Sequence, residues 1–247
     1  MRPWLHDKTL GEEERTSRCE KGLLCMLSLA PQQVEQALGL LNLGSAPEEA
    51  ALTICQATRR PECTTRAAAA FTTFALLPRV ECLDKPASRS LFQAASALLD
   101  QHARQLMLPL LWRAGSDFNA SQAEMMSRLI KQLQMQPLLA FVAAFVDGED
   151  GQPSSWTETQ VTVLQGAISR RPELDSATLL GLLQQADANV DMLRKSLKFS
   201  NLMFTLVKSY GAELLPHLLL ARRTIEKLDT FLKKSALSVL ERLEKSE

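Results

Sequence analysis

Residues 31–62 read PQQVEQALGLLNLGSAPEEAALTICQATRRPE, and the way this stretch starts, stops and starts again decides the fold class. Its first part opens on Pro31 and closes at Gly44. That is the asymmetry of a helix whose first N–H needs no partner and whose end wants left-handed backbone. Ser45 is the expected N-cap of a second helix, with Glu48 three residues later, as in a capping box. The stretch ends in RRPE. Two arginines stand where a helix's negative end attracts cations, proline forbids continuation, and glutamate suits the positive start of the next helix. The same four residues recur at 170–173. Capping is the favoured role of these arginine pairs, ahead of a nucleic-acid contact.

Working outward, the same leucine-rich period recurs along the chain, and nowhere does apolar–polar alternation last a strand's length. Aromatics are only 5% of 247 residues while 46% are hydrophobic, a mixture that suits helices packed on helices better than sheets. Residues 64–77 are Ala-rich and predict a deeply buried helix. Residues 87–100 place Leu91, Ala94, Ala95, Leu98 and Leu99 on one face. Pro109 should kink or split the helix over 102–114. Further helices are expected at 121–133, 137–146, 158–169, 176–186, 193–210, 214–227 and 230–244. DGEDGQPSS at 147–155 is the clearest loop. The reading is all-α: an α-solenoid of stacked antiparallel helix pairs, HEAT- or armadillo-like. An N-terminal tail is expected over 1–18 and the helical-repeat domain over 19–247, with a sub-boundary at 147–155.

Formal net charge is zero, which counts against a protein that grips nucleic acid through phosphates. Cys19, Cys25, Cys55, Cys63 and Cys82 are odd in number and lack zinc spacing, so they read as free thiols in a reducing compartment; Cys25 and Cys55 fall in apolar helical stretches. The N-terminus has no signal-peptide core, and the longest apolar run, 137–146, is half a bilayer span. His6, His102 and His217 are scattered, and no phosphate-loop, zincin or nucleophile-elbow motif is present. DGEDG reads as a solvated turn, since it lacks the alternating oxygen ligands of a calcium loop. Catalysis, a metal, a cofactor and a small-molecule substrate are therefore not expected.

What remains is surface. In the final helix Leu232, Ala236, Val239, Leu240 and Leu243 form the core-facing stripe, and Phe231 lies off it among Lys234, Ser235, Ser238 and Arg242. Two readings are open: a staple packed on the preceding helix, or an exposed anchor for a partner. Tyr210, the only tyrosine, is a second candidate; a helix-end residue with its hydroxyl in water is its ordinary reading.

LMFTLVKSY at 202–210, TFLKKS at 230–235 and the leucine-rich close resemble the C-terminal domain of the Fanconi anaemia group E family. ETQVTVLQ at 158–165 and AGSDFNASQAEMMSRLIK at 114–131 stand in compatible order, so the similarity spans about 19–243. The resemblance implies an all-helical stack and a non-catalytic subunit of the nuclear Fanconi core ubiquitin ligase, acting in repair of DNA interstrand crosslinks. Such a subunit bridges the group C and group F subunits to the clamp-like substrate pair that becomes monoubiquitinated. In the family the aromatic of the T-F-L-basic-K-S motif is associated with the substrate; the matching residues are Phe231 and, beside it, Thr230. The family protein also has an N-terminal helical region and a charged linker with its nuclear-import signal, and this sequence carries neither, as a fragment or short isoform would. The rival expectation is a nucleic-acid-binding helical repeat, which needs its basic residues gathered on one face.

Overall fold

The computed structural model describes residues 21–22, 25, 31–41, 43, 46–60, 63–113, 119–147 and 155–245. Among these the regular structure is helical and contains no strand, so the fold class is all-α. The chain divides into two compact units, Met1–Gly115 and Ser116–Glu247. The expected sub-boundary at 147–155 falls inside the second unit. Residues 148–154, the 1–18 tail, Ser45 and the Pro61–Glu62 half of the first RRPE lie outside the described residues.

The first unit contains α1 (Pro31–Leu41), α2 (Glu48–Ala57), α3 (Thr65–Phe71), α4 (Leu77–Glu81) and α5 (Arg89–Arg113). The N-cap of α2 is Pro47, without a side-chain bond, rather than the expected Ser45. Pro47 has the fixed φ and missing N–H that suit a helix start, and Glu48 and Glu49 supply the negative charge of the first turn. Thr64 caps α3 by accepting from the Ala67 N–H at 3.1 Å. The expected helix over 64–77 is buried as predicted, but a π-turn at Thr72–Leu76 interrupts it. Pro78, with no N–H for a carbonyl one turn back, explains the wider winding just before it.

In α5 the expected break at Pro109 is found instead at His102, whose backbone leaves the helical region at φ −129°, ψ 40°. His102 is buried, and its Nε2 lies 3.2 Å from the Thr58 carbonyl at the end of α2. A tertiary hydrogen bond thus fixes the bend. Arg79 of α4 donates from Nε to the Ala75 carbonyl at 3.0 Å, and from its guanidinium to the carbonyls of Leu43 (2.7 Å) and Ala46. Those two carbonyls border the α1–α2 joint.

The second unit contains α6 (Ala120–Gln132), α7 (Met135–Asp147), α8 (Glu158–Ile168), α9 (Ser176–Leu193), α10 (Leu197–Ser209), α11 (Leu218–Glu226, preceded by a 3₁₀ turn at Leu215–His217) and α12 (Leu232–Glu244). Asn119 with Gln122, and Thr157 with Gln160, form full capping boxes. Asp175 and Ser196 cap α9 and α10. The principal neighbours of each helix lie two elements away: α6, α8, α10 and α12 pack successively, and so do α7, α9 and α11.

Hydrogen bonds at the helix ends show the direction of packing. Arg170, just past α8, donates to the carbonyls of Ile130 (2.6 Å) and Leu133 (2.7 Å) at the end of α6. Tyr210, ending α10, donates to the Pro172 carbonyl beyond α8 at 2.9 Å. Thus α6, α8 and α10 bring their C-terminal ends to one edge. The arginine of the second RRPE does cap a helix, but a neighbouring helix and not its own. Between these joints Arg171 takes left-handed backbone, φ 52°.

Candidate docking site at the α9–α10 and α11–α12 corners

At the opposite edge of the second unit two tight turns meet. The Asp229 N–H, leading into α12, donates to the Arg194 carbonyl, leading into α10, at 2.8 Å. Next to it the Thr230 hydroxyl donates to Ser200 Oγ at 2.8 Å, and Ser200 Oγ donates to the Ser196 carbonyl at 3.0 Å. Ser196 in turn caps α10 by accepting from the Phe199 N–H at 3.2 Å. Ser196 satisfies an N–H at the start of α10, and the hydroxyls of Ser200 and Thr230 extend that cap to the turn before α12. Thr230 is half-buried and its hydroxyl is engaged, so its demonstrated contact is internal to the corner.

Phe231 follows at the N-cap position of α12, with helical backbone and no side-chain cap. Its ring is 74% exposed. A staple would be covered by the preceding helix, which this side chain is not. The stripe behind it is the expected one, with Ala236 and Leu240 buried and Leu232, Val239 and Leu243 half-buried.

The turns are braced by charge. Asp187 of α9 faces α11, where it receives the Arg223 guanidinium, the Lys227 ammonium at 3.1 Å and the Thr224 hydroxyl at 3.2 Å. Burial alone would push this carboxyl up. The three donors, led by Arg223, outweigh it and hold the group below the usual carboxylate range. Lys233 donates to the Glu226 carbonyl, closing the end of α11.

Neither family models nor curated proteins match this chain. The remaining candidate residues are placed by geometry alone.

Tyr210 is corrected: its hydroxyl is not in water but buried on the Pro172 carbonyl. Burial, then the negative Glu213, push the phenol up to about 12 against the opposing pull of Arg171. His217 lies 3.0 Å through Nε2 from Ser176 Oγ at an exposed site. That is a nucleophile–base contact that 41 positions of separation hid from sequence reading, and no hydrogen bond to a third group orients the imidazole among the described residues. His6 and Cys19 lie outside the described residues. Cys55 and Cys63 are buried free thiols, pushed up by burial to about 12 and about 11, whereas Cys25 and Cys82 are exposed, so Cys25 is not the buried small hydrophobe expected. Among the described residues no cluster of three or more His, Cys, Asp or Glu could hold a metal ion, and no helix is long and apolar enough to cross a membrane.

Sequence reasoning found Phe231 through its place off the apolar stripe. It missed Met192, 84% exposed at the end of α9, and Leu197, 52% exposed at the start of α10. Their signal was available in the same form: large apolar residues beside Asp191, Arg194, Lys195 and Lys198. The helix boundary expected at 186–193 obscured it.

Proposed function

We propose that this chain is a non-catalytic adaptor, an α-solenoid of stacked antiparallel helix pairs. In this reading it links core subunits of the nuclear Fanconi ubiquitin ligase to the substrate pair that becomes monoubiquitinated during DNA interstrand crosslink repair. The resemblance of 202–210 and 230–235 to the group E family supplies the partners: the group C and group F subunits on one side, the clamp-like substrate on the other. The packing of helices two elements apart supports the stacked arrangement. One observation carries the docking role. Phe231, in a chain poor in aromatics, presents an exposed ring on a corner fixed by the Asp229–Arg194 and Thr230–Ser200 hydrogen bonds. A rigid support lowers the entropy lost when an anchor is buried by a partner.

The test is capture of the purified substrate pair and of the group C and group F subunits by the purified chain, wild type against Phe231→Ala. The variant is expected to lose about 1–3 kcal/mol of substrate affinity, to retain its core-subunit contacts and to melt within about 2 °C of wild type. A marked fall in melting temperature with unchanged capture would return Phe231 to a structural role.

A further inference from the structure

We infer that Phe231 is one of three apolar contacts on a composite ridge, with Met192 and Leu197, and that this ridge recognises an acidic amphipathic helix of the partner protein. The inference rests on the reading of Phe231 as a docking residue and adds the chemistry of what docks there.

Three observations meet at the ridge. Six large hydrophobic side chains are exposed among the described residues, and half of them, Met192, Leu197 and Phe231, come from these two corners. The hydrogen bonds Asp229–Arg194 and Thr230–Ser200 join the corners. Met192 is two residues before Arg194, Leu197 one helical turn before Ser200, and Phe231 next to Thr230, so all three side chains arise around one pair of bonds.

The charge also leans positive. Residues 191–200 and 226–235 carry six Lys or Arg and three Asp or Glu, within a chain whose formal charge is zero. Lys227 is held by Asp187 and Lys233 by the Glu226 carbonyl. Arg194, Lys195, Lys198 and Lys234 are exposed and have no ion-pair partner among the described residues. Together with the exposed Asp191, Glu226 and Asp229 they leave the margin of the apolar residues with a cationic excess.

An amphipathic helix buries apolar anchors at i, i+3/i+4 and i+7 spacing while its flanks stay wet. Acidic flanks would meet this margin and gain both association rate and register. A phosphate backbone would use the lysines but would gain nothing from exposed methionine and leucine, so a protein segment fits the whole ridge better than nucleic acid does.

The experiment measures binding of the intact chain to the immobilised substrate pair at several salt concentrations. The proteins compared are wild type, Phe231→Ala, the double variant Met192→Ala with Leu197→Ala, and the double variant Lys195→Ala with Lys198→Ala. All five altered side chains are exposed, and circular dichroism melts verify folding. The expected result is about a tenfold loss for the apolar pair and, for the lysine pair, weaker binding with a flatter salt dependence. Loss confined to Phe231→Ala overturns this inference and leaves the docking role standing. Unchanged binding by every variant, or no binding by wild type, overturns both. Duplex DNA that binds with steep salt dependence, requires the lysines and displaces the substrate replaces the acidic helix with nucleic acid.

Discussion

Single residues set the geometry of both edges of the second unit. Tyr210 is the clearest, because the only tyrosine of the chain reports on its own bond. A phenol whose neutral form is favoured by the fold adds stability that is complete below the unfolded value near pH 10. That stability is lost as pH rises towards about 12. Absorbance titration should therefore show no ionisation of the native protein at pH 10 and a transition near pH 12; an ordinary titration near 10 would mean that the bond to Pro172 is not formed. Tyr210→Phe leaves a buried carbonyl unpaired and should cost about 1–3 kcal/mol by denaturant melting. Gly181, in the middle of α9, tests close packing. A Cβ there would lie 2.2 Å from Val146 Cγ1, and the branched Val146 has few rotamers with which to move away. Gly181→Ala should destabilise by about 1–3 kcal/mol, against the roughly 1 kcal/mol that alanine normally gains in a helix. Adding Val146→Ala should restore most of the loss, and no rescue would place the cost elsewhere.

Among the elements, the pairing of α9 with α11 depends on Asp187, whose folded carboxyl is held low. Its contribution is complete above the unfolded value of about 4 and disappears as pH falls through the lower folded value. Asp187→Asn should cost about 1–2 kcal/mol at pH 7 and almost nothing at the acid end, so its stability falls less steeply below pH 4 than that of wild type. Parallel acid limbs in urea titrations would contradict this. The same level shows what the sequence made readable. The helices expected at 121–133, 158–169 and 176–186 start within a residue or so of expectation, because their caps, Asn119, Thr157 and Asp175, bond near neighbours. Events set by distant partners were not readable. Asn189 accepts from the Trp156 N–H at 2.8 Å and donates to the Gln185 carbonyl, which lets α9 run through a polar stretch to Leu193. The bend in α5 follows Thr58 and not Pro109. Arg170 chooses α6 over its own helix. Each case turns on a partner that lies more than 30 positions away.

For the whole molecule, the division at Gly115/Ser116 predicts that 116–247 folds alone. Its core has its own aromatic cluster, with Phe141 and Phe145 centroids 5.3 Å apart and Phe145 and Trp156 centroids 6.2 Å apart, both edge-on. Residues 116–247 expressed by themselves should give a helical spectrum, a cooperative melt and the full chain's affinity for the substrate pair. Aggregation or a featureless melt would show that the first unit is needed for folding. All-α character was readable in the sequence from its period and punctuation; the place of the division was not, because Gly115–Ser116–Asp117 is a much shorter turn signal than DGEDGQPSS at 147–155. A final consequence follows from the row α6, α8, α10, α12, in which each rod leans chiefly on the rods before and after it. Fraying that begins at the terminal rod would be passed inward rung by rung. A protein clamped onto Phe231 would seal the loose end of that ladder and lengthen the native lifetime of segments it never touches.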